Sequence, residues 1–262
     1  MRRTVSVLAA AAAFLSVLAA VAVADTLIGT DSAEQLSGTP RPDQIYGEGG
    51  DDRLFGNGSH DYLEAGSGSD EVDAGEGVDL VLGGTGDDRI DAGPSNDVVY
   101  AGAGTDQVLG GSGADTLFGQ SEADRIFGGS GADRIYASLG GDFVDAGSGS
   151  DRVSSDEGDV TIRAGAGHDV VTADGGRVDV RGGAGRDRIR TGSSDDRVTG
   201  GNGADSIDAG PGADEIRAQD GMRDRVHCGL GHDEVEGDRD DMLIGCEVSF
   251  DQEGGSLPGL GP

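Results

Sequence analysis

The sequence predicts a repetitive solenoid, and three observations lead to that prediction. The stretch from Gly29 to Arg217 divides into 21 frames of nine with no insertion. Position 6 of the frame is Asp in 18 of the 21, and position 8 is Leu, Ile or Val in all of them. Positions 1, 2 and 4 are mostly Gly or another small residue. Self-similarity at a short fixed period is typical of a chain whose coils stack on one another.

The combination of Asp and Gly in one frame indicates a metal site. Gly permits backbone conformations with φ > 0, so the carbonyl groups of a tight turn can point inward. Asp adds a hard anionic oxygen, and a cage of such oxygens suits calcium. Position 8 supplies a row of stacked aliphatic side chains, which we expect to form a thin core with no larger one beside it.

The pattern GGxGxDxUx, in which U is aliphatic, runs through frames such as GGTGDDRID, GGSGADTLF and GGSGADRIY. It resembles the haemolysin-type calcium-binding repeat, the RTX nonapeptide. The resemblance implies an all-β fold, a right-handed parallel β-roll (β-solenoid) with two nonapeptides per coil. It further implies that each GGxGxD turn gives backbone carbonyls and its Asp to calcium, and that each xUx is a short strand with U inward.

The expected ligands of several calcium ions are the aspartates at position 6. They are Asp43, Asp52, Asp61, Asp70, Asp79, Asp88, Asp97, Asp106, Asp115, Asp124, Asp133, Asp142, Asp151, Asp169, Asp187, Asp196, Asp205 and Asp214. Aspartates two frames apart would stack at about 4.8 Å, where like charges repel by about 1 kcal/mol per pair even in water. A divalent ion turns this repulsion into attraction, so we expect a disordered calcium-free chain that folds on calcium.

Three frames lack Asp at position 6, and two of them are close together. Glu34 replaces it in the first frame, while Val160 and Val178 replace it in frames 15 and 17. Because frames alternate between the two edges of the roll, both valines fall on one edge. We therefore expect one complete calcium row and one row with a gap between Asp142 and Asp196.

The N-terminal residues predict export. In residues 1–24, Arg2 and Arg3 precede an apolar run, and Ala22-Val23-Ala24 offers a cleavage site before Asp25. The alternative is an uncleaved membrane anchor. We expect a secreted, extracellular protein with no membrane span after cleavage. Residues 25–46 are predicted to be degenerate capping repeats, and 47–217 the calcium-binding array proper.

The C-terminal residues 218–248 are predicted to form a capping coil. The register shifts by one residue from Ala218, and the only two cysteines, Cys228 and Cys246, are separated by the length of one coil. Neighbouring coils would bring their Cα atoms within disulfide range, and secretion permits the bond. The alternatives are two free thiols or a metal pair. Residues 249–262 lack periodicity and are expected to be a flexible tail.

The composition narrows the classes of function. The net charge of -31 argues against nucleic acid and anionic membranes as partners and favours cations. The alternative is that an acidic, Gly-rich chain is simply disordered. Given the periodicity, this alternative describes only the metal-free state. No nucleophile elbow, zinc motif or P-loop occurs, so we expect no enzyme, although glycosidase-like carboxylate pairs stay open.

Outward residues leave the biological partner open. Tyr100, Phe118 and Tyr136 share position 9 on successive coils of one sheet, with Phe55, Leu109 and Phe127 on the other. Such a ladder either stabilises neighbouring strands or binds a polysaccharide, a cell-surface component or a second copy. Outward arginines are expected to solvate the surface and balance nearby acids: Arg53, Arg89, Arg125, Arg134, Arg152, Arg188 and Arg197.

The sequence thus predicts a secreted calcium-binding repeat protein with a structural or adhesive role at or outside the cell surface. The alternative is a polysaccharide-binding module that uses the ladder of Tyr100, Phe118 and Tyr136. A third hypothesis, part of a secreted toxin or enzyme, would require a separate non-repeat domain.

Overall fold

The chain folds as a parallel β-solenoid of about 12 turns. The structure is a computed structural model that describes residues 4–6 and 25–248. The predicted tail at 249–262 and most of the predicted export signal lie outside these residues. Within them the chain forms no helix, and hence none long and apolar enough to cross a membrane. The all-β prediction is confirmed.

Twenty-seven short strands follow one another along the described residues. In chain order they are β1 (Thr4–Ser6), β2 (Thr26–Ile28), β3 (Gln35–Ser37), β4 (Gln44–Tyr46), β5 (Arg53–Phe55), β6 (Tyr62–Ser67), β7 (Glu71–Asp73), β8 (Leu80–Thr85), β9 (Arg89–Asp91), β10 (Val98–Ala103), β11 (Gln107–Ser112), β12 (Thr116–Ser121), β13 (Arg125–Ser130), β14 (Arg134–Leu139), β15 (Phe143–Ser148), β16 (Arg152–Glu157), β17 (Val160–Ala166), β18 (Val170–Ala173), β19 (Val178–Ala184), β20 (Arg188–Thr191), β21 (Arg197–Asn202), β22 (Ser206–Asp208), β23 (Glu215–Arg217), β24 (Arg225–His227), β25 (Glu234–Glu236), β26 (Met242–Ile244) and β27 (Glu247–Val248).

The strands alternate between two parallel sheets. Sheet A contains β1 and the even-numbered strands, 14 in all, and sheet B contains the 13 odd-numbered strands from β3 onward. Partners through the array are two frames apart, as Val99 pairs with Val81 on one side and Leu117 on the other. Each coil therefore holds two nonapeptides. The strands from β10 to β16 are longer than most others, because the first residues of the next frame also pair.

The core is a single thin cluster between the sheets. All 21 aliphatic residues at position 8 are buried, from Leu36 to Ile216. Alanines at position 1, such as Ala65 and Ala146, complete the cluster and are fully buried. Burial alternates along each strand, so positions 7 and 9 face outward. The prediction of a thin aliphatic core is confirmed.

The two ends of the solenoid are irregular. At the N-terminal end, β1 pairs in parallel with β2, and it is the one described part of the predicted export signal. At the C-terminal end, the extra residue after Ala218 lengthens one coil, so that Ser206 pairs with Arg225. Cys228 and Cys246 are joined by a disulfide, with Cα atoms 5.2 Å apart. The pairing expected from their spacing is present.

Several turns hold residues other than glycine in left-handed backbone conformations. Gln120 has φ 80° and Glu122 φ 72°, where the corresponding turn one coil earlier has Gly102 and Gly104. Such conformations cost an L-residue roughly 1–2 kcal/mol. Glu122 has a compensating contact, because its Oε2 accepts a hydrogen bond from the Gly104 N–H at 3.0 Å.

Replacing Gln120 by Gly is therefore expected to stabilise the folded protein. The substitution removes the backbone strain of Gln120, but Gly also has more conformational entropy in the unfolded chain, which opposes folding. The net result is an increase of roughly 0.5–1 kcal/mol in the free energy of unfolding. Denaturant unfolding in calcium measures it. Glu122→Gly should gain less because it loses a hydrogen bond. Gly102→Ala should destabilise, since its Cβ would overlap the Gly84 carbonyl oxygen; equal stability of all three variants would contradict the strain argument.

Candidate metal centre

The position-6 side chains form two rows, one along each edge of the solenoid, and Asp224, Asp233 and Asp241 continue these rows beyond the 21 frames. Row A precedes the strands of sheet A and contains Asp43, Asp61, Asp79, Asp97, Asp115, Asp133, Asp151, Asp169, Asp187, Asp205, Asp224 and Asp241. Row B precedes the strands of sheet B and contains Glu34, Asp52, Asp70, Asp88, Asp106, Asp124, Asp142, Val160, Val178, Asp196, Asp214 and Asp233.

One carboxylate oxygen of each interior aspartate links neighbouring coils. Its Oδ1 accepts a hydrogen bond from the backbone N–H of the row member one coil earlier. The Asp97 N–H donates to Asp115 Oδ1 at 2.8 Å, and the Asp115 N–H donates to Asp133 Oδ1 at 2.9 Å. This contact repeats along both rows, except where Val160 and Val178 replace the accepting aspartate of row B, and it joins each turn to the next.

The second oxygen of the same carboxylates has no partner in the protein. Eighteen aspartates bury an Oδ2 atom without a hydrogen bond: Asp52, Asp61, Asp70, Asp79, Asp88, Asp97, Asp106, Asp115, Asp124, Asp133, Asp142, Asp151, Asp169, Asp187, Asp196, Asp205, Asp214 and Asp224. A buried polar group without a partner is costly, and a buried charge more so. A regular series of such atoms points to a ligand that supplies positive charge.

The turns place further oxygens close to the unpaired atoms. At Gly110, an added Cβ would lie 2.8 Å from Asp115 Oδ2 and 2.7 Å from the carbonyl oxygen of Gly128 in the next coil. Gly128 shows the same arrangement, at 2.7 Å from Asp133 Oδ2 and 2.5 Å from the Ala146 carbonyl oxygen. The absence of a side chain thus leaves a carboxylate and a carbonyl of adjacent coils facing the same small space.

The available donors fit calcium. Neither row contains a thiol or imidazole, and calcium takes six to eight oxygen ligands in flexible geometry. Among the described residues, no cluster of three or more His, Cys, Asp or Glu side chains is arranged to hold an ion by itself. An ion on either edge would therefore need main-chain carbonyls in addition to row carboxylates, which is what the turns offer.

Burial shifts the titration of the row carboxylates. It raises the pKa of Asp88, Asp97 and Asp124 to about 7, and neighbouring carboxylates raise it further although the backbone N–H bond lowers it. The same causes raise the pKa to about 7 for Asp151 and Asp224, and to about 6 for Asp52, Asp61, Asp205 and Asp214. Without metal, protonation is thus one way to relieve the charge.

Row B is interrupted where the sequence predicted a gap. Val160 and Val178 are buried in place of aspartates, and the strands that contain them, β17 and β19, begin one residue earlier than their neighbours. Ile162 and Val180 stay in the core, so the coil continues as expected. Row A continues through the same coils without interruption. Full metal occupancy of row A and reduced occupancy of row B stay a prediction.

At the row ends the hydrogen bonds differ from those of the interior. Asp43 stays a predicted ligand, and its Oδ2 accepts hydrogen bonds from the Thr39 N–H at 2.5 Å and the Thr39 hydroxyl at 3.0 Å. Asp224, outside the expected set, has the free buried Oδ2 of an interior member. Asp233 and Asp241 extend the rows further. Each of these last three aspartates stands two residues before a buried or half-buried aliphatic residue, as in the array. That Asp-x-aliphatic spacing is the sequence signal by which they can be found.

Comparison with known proteins identifies a matching family. The chain matches the family described as RTX calcium-binding nonapeptide repeat (4 copies) over residues 28–63, 37–72, 46–81, 55–90, 73–108, 82–117, 109–144, 145–177 and 181–216. It is similar to a solved structure described as the X-ray crystal structure of a hyperactive, Ca2+-dependent, beta-helical antifreeze protein from an Antarctic bacterium. That similarity has 19% identity, covers 86% of this chain and 82% of that chain, and has a TM-score of 0.37. No curated protein matches the sequence.

Proposed function

The chain belongs to the RTX calcium-binding nonapeptide repeat family, and from this premise we propose that its calcium ions are held along rows A and B and that binding them folds the chain. The row aspartates with a free Oδ2 would hold the ions together with turn carbonyls. Bound calcium supplies the positive charge that these buried carboxylates lack. The observation that carries the proposal is the series of 18 buried, unpartnered Oδ2 atoms.

Folding and binding are coupled in this proposal because the metal-free fold concentrates like charge. Successive Oδ2 atoms of a row come from coils about 4.8 Å apart. The hydrogen bond from a backbone N–H to Oδ1 offsets only part of the free-energy cost of burying each charged carboxylate. The core that opposes this repulsion is a single thin cluster of position-8 aliphatic residues and position-1 alanines. Any ligand that binds the folded chain alone adds its binding free energy to the stability.

Calcium titration of the full chain tests the proposal. Far-ultraviolet circular dichroism is expected to change from a disordered to a β-rich spectrum as calcium is added, while calorimetry counts the ions. Magnesium at equal concentration is the control, and it should order the chain poorly because it demands near-octahedral geometry and dehydrates reluctantly. A β-rich spectrum that EGTA leaves unchanged would refute the coupling of folding to calcium.

We propose that the protein works outside the cell as a structural or adhesive component rather than a catalyst. The charged and apolar residues before Ala22-Val23-Ala24 support export. The disulfide between Cys228 and Cys246 supports an oxidising compartment. An exported protein whose N-terminus is Asp25 by mass spectrometry would agree with both, and one retained in the cytoplasm with its first residues intact would not.

The aromatic ladder does not favour the alternative of sugar binding at that place. Tyr100, Phe118 and Tyr136 lie on neighbouring strands of sheet A, with ring centroids 4.6 Å apart and planes within 7° of parallel. Both faces of the Phe118 ring are therefore covered, and ring faces are what an aromatic platform offers to a ligand. This geometry supports the interpretation of the ladder as cross-strand stacking that stabilises adjacent coils.

A further inference from the structure

The arginines of the two sheets differ in their partners. On the outer face of sheet B, several arginines pair with carboxylates on the same or the adjacent strand: Arg53 with Glu71, Arg163 with Asp145, Arg197 with Glu215, and Arg217 with Glu215 and Glu236. On sheet A and its turns, these exposed arginines have no ion pair among the described residues: Arg134, Arg152, Arg186, Arg188, Arg190, Arg223 and Arg225. Several arginines of sheet B therefore balance nearby acids through ion pairs, as expected. The arginines of this sheet A set form no such pair within the described part of the chain.

Four of the unpaired arginines line one groove. It follows the edge where the turns of row A pass into sheet A, and Arg186, Arg188, Arg223 and Arg225 line it together with His168. Arg188 pairs in the sheet with Ser206, and Ser206 pairs with Arg225. The two guanidinium groups thus project from strands about 10 Å apart along the solenoid axis.

The acidic groups of this groove lie beneath its surface. Asp169, Asp187, Asp205 and Asp224 line it from row A, but each is 3% exposed or less. The proposed calcium ions would offset these carboxylates. What the groove then presents to solvent is a row of guanidinium groups, on a chain whose formal net charge is -31.

We propose that this groove binds an acidic polysaccharide through the carboxylates of its uronate sugars. Arginine is planar and presents a fork of donors that matches a carboxylate in two parallel hydrogen bonds. The guanidinium groups of Arg188 and Arg225, at a regular axial spacing, suit a linear polymer whose charges recur at regular intervals. The site goes beyond the proposed calcium rows and requires only that the calcium-loaded solenoid be folded.

Other polyanions fit the groove less well. Single-stranded nucleic acid is bound by aromatic platforms beside basic residues, and no aromatic residue lines this groove. A lipid surface needs several apolar side chains that can insert beside the cations. The larger apolar residues that line this groove are two, Val170 and Met242, so the groove offers little to insert.

The test measures binding of short oligouronates to the full chain in saturating calcium. Arg188→Gln/Arg225→Gln is expected to weaken binding about tenfold or more, since each substitution removes a charge-assisted contact. The matched control is Arg125→Gln/Arg181→Gln, which makes the same change of charge with exposed arginines of sheet B that form none of its ion pairs. The control should bind as the unchanged protein does, and added salt should weaken binding of both.

Circular dichroism in calcium separates this proposal from the folding proposal, because it reports the fold of every variant without the ligand. The groove is supported if the Arg188→Gln/Arg225→Gln variant is folded and binds more weakly. It is overturned if that variant binds oligouronate as the unchanged protein does, or if the sheet B control loses binding equally. Equal binding of a neutral oligosaccharide, of single-stranded DNA or of anionic vesicles would also overturn it.

Discussion

Acidifying the calcium-free protein from about pH 8 to about pH 4 is expected to order the chain. The buried carboxyls of Asp88 and Asp97 have pKa values of about 7 in the fold, and Asp61 about 6, against 3.8 for an exposed aspartate. The folded state therefore binds more protons than the unfolded state. This contribution to stability is fully present below the unfolded pKa and is lost as the pH rises through about 6 to 7.

Circular dichroism in EGTA across this pH range measures the effect, with urea midpoints wherever the chain is folded. Saturating calcium is expected to reverse the trend, because the ion and the proton compete for the same carboxylates. Calcium affinity should accordingly fall as the pH drops below about 7. A calcium-free chain equally disordered at both ends of the range would mean that carboxylate repulsion is not what unfolds it.

Introducing into row A the substitution that interrupts row B is expected to have opposite effects on the free energy of unfolding with and without calcium. Asp133→Val places in row A the residue type that row B carries at Val160 and Val178. The change removes a free Oδ2 and the acceptor of the Asp115 N–H. In calcium, each ion lost would cost about 2.7 kcal/mol at a concentration one hundred times its dissociation constant. In EGTA the substitution should stabilise the fold, since it removes a buried, unpaired carboxylate.

Val178→Asp is the matched reverse change. It restores a carboxylate next to Asp196, whose Oδ1 already accepts the residue 178 N–H at 2.9 Å. The free energy of unfolding should rise in calcium and fall in EGTA, and calorimetry should count more ions than in the unchanged protein. Two substitutions that shift stability in the same direction under both conditions would exclude row carboxylates as ligands.

A fixed period makes much of this fold readable from the sequence. With two frames per coil, the alternation of frames places every residue on one sheet or edge by counting alone. The buried row from Leu36 to Ile216, the gap at Val160 and Val178, and the sheet shared by Tyr100 and Phe118 all follow from that count. Position-6 spacing likewise places Asp133 over Asp115.

What the count does not give depends on local contacts. Thr39 occupies the second oxygen of Asp43, a contact that the aspartate spacing alone does not reveal. The orientation of the aromatic rings, which covers both faces of Phe118, is a packing outcome. The groove at Arg188 and Arg225 likewise depends on side-chain packing, because the count does not show which arginines have carboxylate partners.

The two-frame coil gives the array a parity. Insertion or loss of a whole coil would lengthen or shorten the solenoid and leave every downstream side chain on its own flank. A change of one frame would exchange the flanks beyond that point, so a single frame lost between Tyr136 and Arg188 would move the aromatic stack and the arginines to opposite sides of the molecule. Wherever the two flanks have different functions, the number of frames can therefore change by an even number without disturbing them, whereas a change by an odd number would exchange them.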